Sequence, residues 1–221
     1  MAQPTGFKND FTDSARVGAW VICAAFVVHN VNGAYIEPRI LGFEDPATDY
    51  ARIEMLRMAI GSWPWLASGI GHLLSGFACV PLALWAFHAF RDNAPVASAF
   101  ALVAGLFAGA GFMLGGITDL LGSSSASLLA DMNPAYGDEI YLADSLVRIV
   151  LNGFAIVSFG WFAAQVSWAG AHAGTMSRWQ AGCGYLAAAT ALLFAVVYVP
   201  LYLAVYLVWS GWLALSLRRS A

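Results

Sequence analysis

Asp144, Arg148 and Asn152 are an acid, a base and an amide set four residues apart. On a helix turning 100° per residue they fall on a stripe about 80° wide, with Tyr141 at its head. The run that carries them, Glu139 to Trp168, is long enough to cross a bilayer. An ionised pair inside such a span is costly and tends to face protein or water, which makes it a candidate functional site. The plain structural account stands beside this one. Asp144 and Arg148 can neutralise each other within one helix, and Arg148 can extend to the headgroups.

The chemistry such residues support is acid–base work. Asp144 is the candidate proton acceptor, tuned by Arg148, with His72 or His29 as second proton carrier. A carboxylate facing a guanidinium serves better as a base than as an acid. Asp119 is therefore the candidate acid. Asn152, Asn32 and a tyrosine, Tyr141 or Tyr202, would orient a ligand beside Arg148 and His29. His72 can equally be a helix-to-helix hydrogen-bonding residue, His29 a polar helix end, and Tyr198, Tyr202 and Tyr206 an aromatic belt.

The elements that position these groups follow from composition. Of 221 residues, 60% are hydrophobic and 10% charged, against roughly 25% charged in soluble domains. Lys8 is the one lysine, beside nine Trp and fourteen Phe. The chain reads as a single all-α domain, 1–221, an integral membrane helical bundle. A net charge of −3 without a basic stripe argues against a nucleic-acid partner. Cys23, Cys79 and Cys183 lie in apolar runs without CxxC spacing and read as packing. The polar, acid-containing start, Met1 to Arg16, looks like neither a signal nor a transit peptide.

Six transmembrane helices are expected, over 17–35, 63–87, 96–120, 140–168, 180–198 and 200–217. Outer loops are expected at 36–62 and 121–139. The first loop should hold an interfacial helix from Thr48 onward, with Ile53, Leu56 and Ile60 on one side. In the second, Leu128 and Leu129 suggest a cap folded back onto the bundle. Trp65, Ser68, Gly69, His72, Ser75, Gly76 and Cys79 give the second span a small, polar face. Gly105–Gly109 and Gly111–Gly115 have GxxxG spacing, a mark of close helix contact. Pro81 is expected to kink its helix.

The last two spans are the hardest division. No residue between Arg178 and Arg218 is charged, and as one helix that stretch would run about 58 Å at 1.5 Å per residue. Two spans turning near Val199-Pro200 fit a bilayer better. With both termini cytoplasmic, Lys8, Arg16, Arg91, Arg178, Arg218 and Arg219 lie inside and Arg39, Arg52 and Arg57 outside, as the positive-inside rule asks. His29, Asn30, Asn32, Asp119 and Arg148 then gather in the outer half. His72 lies roughly 14 Å along its helix.

Other chemistries find less support. Haem needs two imidazoles at one depth on facing helices, and the counted depths of His29 and His72 differ by several ångströms. Four scattered histidines fall short of a metal-oxygenase set. No lysine lies in a span to form a Schiff base. Neither a cofactor nor a metal is expected.

The ending Val199-Pro200 through Trp209, Gly211 and Trp212 to Arg218-Arg219, after five earlier spans, resembles bacterial six-span membrane families of unknown function. That resemblance implies a layout and no activity. The residues themselves imply a protein of the cell (inner) membrane that binds a lipophilic small molecule in an outer-facing polar pocket. Isomerisation or cyclisation of a terpenoid- or sterol-like substrate is the matching enzyme reading. The alternatives are an accessory or assembly subunit contacting partner membrane subunits, and a small transporter, for which no inverted repeat is evident.

Overall fold

Long apolar runs punctuated by proline and glycine set the helix ends. The computed structural model describes residues 5–42, 57–60, 62–197 and 199–217, and all regular structure among them is helical. α1 is Thr5–Val31, α2 Trp63–Phe90, α3 Pro95–Ile117, α4 Ser123–Met132, α5 Gly137–His172, α6 Arg178–Val197 and α7 Tyr202–Ser216. Pro64 and Pro95 sit in the first turns of α2 and α3, where a missing N–H does little harm. Gly174, with φ of 69°, follows the end of α5, a conformation that costs a residue without a Cβ little. Pro81 lies within α2 without ending it.

The helices close into an up-and-down ring. α1 packs on α2, α2 on α3, α3 on α5, α5 on α6, α6 on α7, and α7 returns to α1. The seam between α1 and α7 is antiparallel, with Asn30 Nδ2 donating to the Leu203 carbonyl at 3.1 Å. The charge-free stretch does divide near Pro200. Phe194 meets Tyr202 at 4.8 Å, and Gln180 Nε2 donates to Ser216 Oγ at 3.1 Å at the far end, so α6 and α7 run back along each other.

Five helical segments are long and apolar enough to cross a membrane: Phe11–Ile36, Trp63–Phe90, Pro95–Met132, Pro134–His172 and Arg178–Val197. Tyr202–Ser216, at 15 residues, is apolar but shorter. It rises about 22 Å, short of a roughly 30 Å hydrocarbon core.

The loop expected at 121–139 is instead mostly helix. α3 runs through a π-helical turn, Thr118–Gly122, into α4. The serines there do not break it, because hydroxyls bond back to the preceding turn: Ser124 Oγ donates to the Leu120 carbonyl at 2.9 Å. Ala126 and Ala130 face inward, while Leu128 and Leu129 are exposed, so the leucine pair is not the inward cap that was expected. The interfacial helix expected from Thr48, and Tyr198 at the turn, lie outside the described residues.

Small residues bring the helices together. A Cβ on Gly111 would meet Ala155 of α5 at 2.9 Å, and one on Gly105 would meet Ala83 of α2 at 2.7 Å. The two GxxxG pairs thus serve opposite faces of α3. Inside the ring is a column of edge-to-face aromatics. Phe159 touches Tyr206 at 4.9 Å, Trp209 at 5.7 Å and Phe162 at 5.9 Å. Tyr206 is fully buried and donates to the Ile156 carbonyl. It is therefore core, not part of an aromatic belt. The hydroxyl was satisfied across the ring, where sequence could not show it.

Gly116 has no such slack: a Cβ there would lie 2.6 Å from the Leu73 nitrogen and 2.7 Å from the Gly69 carbonyl oxygen. Gly116→Ala should cost about 1–3 kcal/mol through backbone collision. Gly153→Ala, with nothing within 4 Å, should be neutral or gain up to about 1 kcal/mol. Thermal unfolding of the two variants in detergent measures this, and equal midpoints would refute the close α2–α3 contact.

Candidate functional site

At one end of the ring, the last turns of α1 and α3 leave the α-helical path. α1 passes into a π-helical turn over Asn32–Ile36, as α3 does over Thr118–Gly122. Such turns are rare and often found at functional sites. Each carries a buried polar residue: Asn32 at 6% exposure and Asp119 at 2%. Asn32 Nδ2 donates to the Pro64 carbonyl at 3.1 Å. Trp65 Nε1 donates to the Asp119 carbonyl at 2.9 Å. Gly69 makes room for the acid, since a Cβ there would stand 2.9 Å from that of Asp119.

The Asp119 carboxylate is the centre of the arrangement. Oδ2 lies 2.7 Å from His72 Nδ1, and Oδ1 lies 3.9 Å from Arg148 Nε. The Arg148 guanidinium lies over the Trp65 ring, 4.3 Å from its centroid, a geometry that adds cation–π attraction. His72 is held between two rings, stacked on His29 at 4.4 Å and on Phe112 at 6.0 Å. His29 Nδ1 in turn lies 3.2 Å from Ser68 Oγ. Two imidazoles, a carboxylate and a guanidinium, from α1, α2, the π-helical turn after α3, and α5, thus form one network around the buried Asp119.

A cavity of about 80 Å³ adjoins it. Asn32, Ser62, Ser68, Asp119 and Arg148 form the polar wall, and Leu41, Ala59, Pro64 and Trp65 the apolar one. Each imidazole is therefore one hydrogen bond from the cavity, His72 through Asp119 and His29 through Ser68. Asp119 Oδ1 and Ser62 Oγ are buried without a hydrogen-bond partner among the described residues.

Several expectations change here. His29 and His72 are at one depth, contrary to residue counting, because α1 and α2 are offset along their axes. Their rings lie face to face, whereas ligation of one metal would need nitrogens aimed at a shared point. Asp119 is buried, at 2% exposure. Arg148 turns to Asp119 across the helices, while Asp144 accepts from Ser123 Oγ at 3.1 Å. Asp144 and Asn152 do not line the cavity. Asn152 lies against Gly115, where a Cβ would collide with its Oδ1.

Tyr141 is buried under the site with Trp65, Ala59 and Ala130, and Arg57 passes 5.2 Å from its ring centroid. Tyr202 belongs to the aromatic column beside Tyr206 and Phe194, away from the cavity, because α7 enters the ring on the side of α6. Sequence reasoning missed Ser62 and Trp65 as site residues and used Ser68 only as a small residue. Ser68 stands four before His72, the same helix face, which was the available signal.

No protein-family model, curated protein or solved structure matches this chain. The geometry alone therefore carries the functional reading.

Removing one partner of a buried ion pair costs about 3–5 kcal/mol, because a charge is left uncompensated. Asp119→Leu and Arg148→Met should each destabilise strongly. Together they should cost about 1–3 kcal/mol less than the sum of the two. Thermal or denaturant unfolding of the singles and the double tests this, and simple additivity would mean that the two side chains do not interact.

Proposed function

We propose that this chain is a multi-pass protein of the cell (inner) membrane, with six spans and both termini cytoplasmic. It takes the polar head of a lipophilic small molecule into the cavity at the outer end of the ring. There it performs acid–base chemistry on the ligand. What supports this most is one observation: the His72–Asp119–Arg148 network, gathered from different helices, includes two residues, Asp119 and Arg148, that line the cavity. Buried charge of this kind marks function in a membrane span.

Small-molecule sites usually enclose about 300–1,000 Å³, so a cavity of about 80 Å³ fits a head and not a whole ligand. The lipophilic remainder would lie along the outside of the ring. Ile40, Met58, Trp63 and Leu66, each next in sequence to a lining residue, are exposed.

In this reading Asp119 replaces Asp144 as the proton acceptor. A carboxylate accepting from Nδ1–H fixes the His72 tautomer and leaves the ring able to take a second proton. A proton withdrawn from the ligand by Asp119 is then shared with His72, and returned elsewhere on the ligand. Isomerisation is balanced by that exchange alone. Arg148, 3.9 Å from the same carboxylate, keeps it in position.

Mass spectrometry of small molecules retained by the purified full-length protein tests the reading. Wild type should retain a lipophile. Asp119→Asn, close in shape, should lower retention or turn that compound over at least about 100-fold more slowly. Asp144→Asn should behave as wild type. A preparation that retains no small molecule, or that retains a second polypeptide instead, would overturn ligand handling in favour of a subunit role.

A further inference from the structure

Arg148 is the side chain best matched to a carboxylate, yet it does not grasp Asp119. A guanidinium presents planar, parallel N–H groups that fork onto both carboxylate oxygens at about 2.7–2.9 Å. Here Nε stops 3.9 Å from Oδ1, beyond hydrogen-bond range, and Oδ1 has no hydrogen-bond partner among the described residues. The bond to this carboxylate comes from His72, with Nδ1 2.7 Å from Oδ2. An ionised carboxylate only accepts, so Nδ1 carries the proton.

Trp65 accounts for the standoff. Its ring face carries the guanidinium, 4.3 Å from the centroid, an attraction of about 0.5–2 kcal/mol. Its ring edge is tied to the acid's own backbone, Nε1 donating to the Asp119 carbonyl at 2.9 Å. Gly69, one turn along the same face of α2, lets the Asp119 backbone approach, since a Cβ there would stand 2.9 Å from that of Asp119. One rigid plate thus holds both the residue that bears the carboxylate and the cation that faces it. His72 is fixed separately, between His29 at 4.4 Å and Phe112 at 6.0 Å. The spacing separates two effects. Coulomb attraction falls only as the inverse of distance and persists at 3.9 Å, whereas a hydrogen bond does not.

We propose that Trp65 is a positioning residue: by holding the Arg148 guanidinium on its face, it prevents a forked Arg148–Asp119 pair and leaves the carboxylate bonded to His72. Without the indole, Arg148 closes onto both oxygens and His72 loses its partner. The role rests on the acid–base reading above, in which the His72–Asp119 bond passes the proton, but the bond itself is measured without any ligand.

The chain has four histidines, so imidazole N–H signals from nitrogen-15 histidine labelling of the full-length protein in nanodiscs are few, and His72→Gln assigns the relevant one. Wild type should show a downfield, slowly exchanging His72 N–H; its absence overturns the proposal. Trp65→Leu should speed that exchange at least about 10-fold, as for loss of a hydrogen bond to a charged group. Trp65→Phe, which keeps an aromatic face, should speed it less. Adding Arg148→Met to Trp65→Leu should restore the slow signal, because no guanidinium is left to compete. A signal unchanged by Trp65→Leu overturns the proposal. So does one that the double variant fails to restore, which would make Trp65 a packing residue only. Should either variant not fold, uniform 5-fluorotryptophan in the wild-type chain keeps the shape and the N–H but weakens the cation–π attraction. Exchange should then quicken about 2-fold, and unchanged exchange overturns the proposal. A preparation that retains no small molecule would sink the ligand-handling reading and leave this result standing.

Discussion

A carboxylate taken out of water must be surrounded by donors and opposite charge, and Asp119 imposes that requirement on the whole ring. Its solvation shell is made of protein. α2 supplies the His72 ring and, through the Asp119 carbonyl, the Trp65 indole. α5 supplies Arg148, and α1 closes the arrangement by stacking His29 on His72. None of these groups is adjacent in sequence. Surrounding one carboxylate therefore ties together the relative height and rotation of the helices that supply its partners.

That demand explains why α3 is so rich in glycine. An ion network only works if the helices bearing it come close enough for 2.7 Å contacts, and bulky side chains between α2 and α3 would hold them apart. Gly69, Gly76, Gly109 and Gly116 let the two backbones approach until carbonyl oxygens nearly touch the facing α-carbons. On the other face Gly111 and Gly115 admit Ala155 and Asn152 of α5, which brings Arg148 within reach of α3. Below the network, Phe26, Phe112 and Phe159 form an apolar floor. A low dielectric beneath makes each charge contact above it stronger, and an unpaired charge more costly.

Much of this was legible in the sequence, for a physical reason. Helix content and the division at Val199-Pro200 follow from apolar run length, which is local information. So does the small face of α2, since residues three and four apart share a side. Of the stripe read on α5, Tyr141 is buried and Asp144, Arg148 and Asn152 are half-buried, while Leu146, Val147 and Val150 between them are exposed. What the pattern could not carry was a partner from another helix: Asp144 and Arg148 at i, i+4 do interact along α5, but Arg148 also stands 3.9 Å from Asp119, a neighbour that only packing provides. Residue counting misjudged the heights of His29 and His72, because helix offset depends on packing. The loop expected at 121–139 holds the helix Ser123–Met132 instead, where a serine hydroxyl bonds the preceding turn.

Several local irregularities are gathered in one place. Two π-helical turns, at Asn32–Ile36 and Thr118–Gly122, and a capping serine that caps nothing, at Ser62, all border the same small cavity. Irregularity is not confined to this end, since Pro81 stands within α2 and the N-cap residues Ala94 and Leu201 also make no side-chain capping bond. A continuous α-helix through Thr118 would carry Asp119 on a different azimuth, and a capping Ser62 would turn its hydroxyl to the α2 backbone. The polar groups of this end are thus divided between irregular helix ends, which carry Asp119 and Ser62, and regular helix, which carries His72 and Arg148.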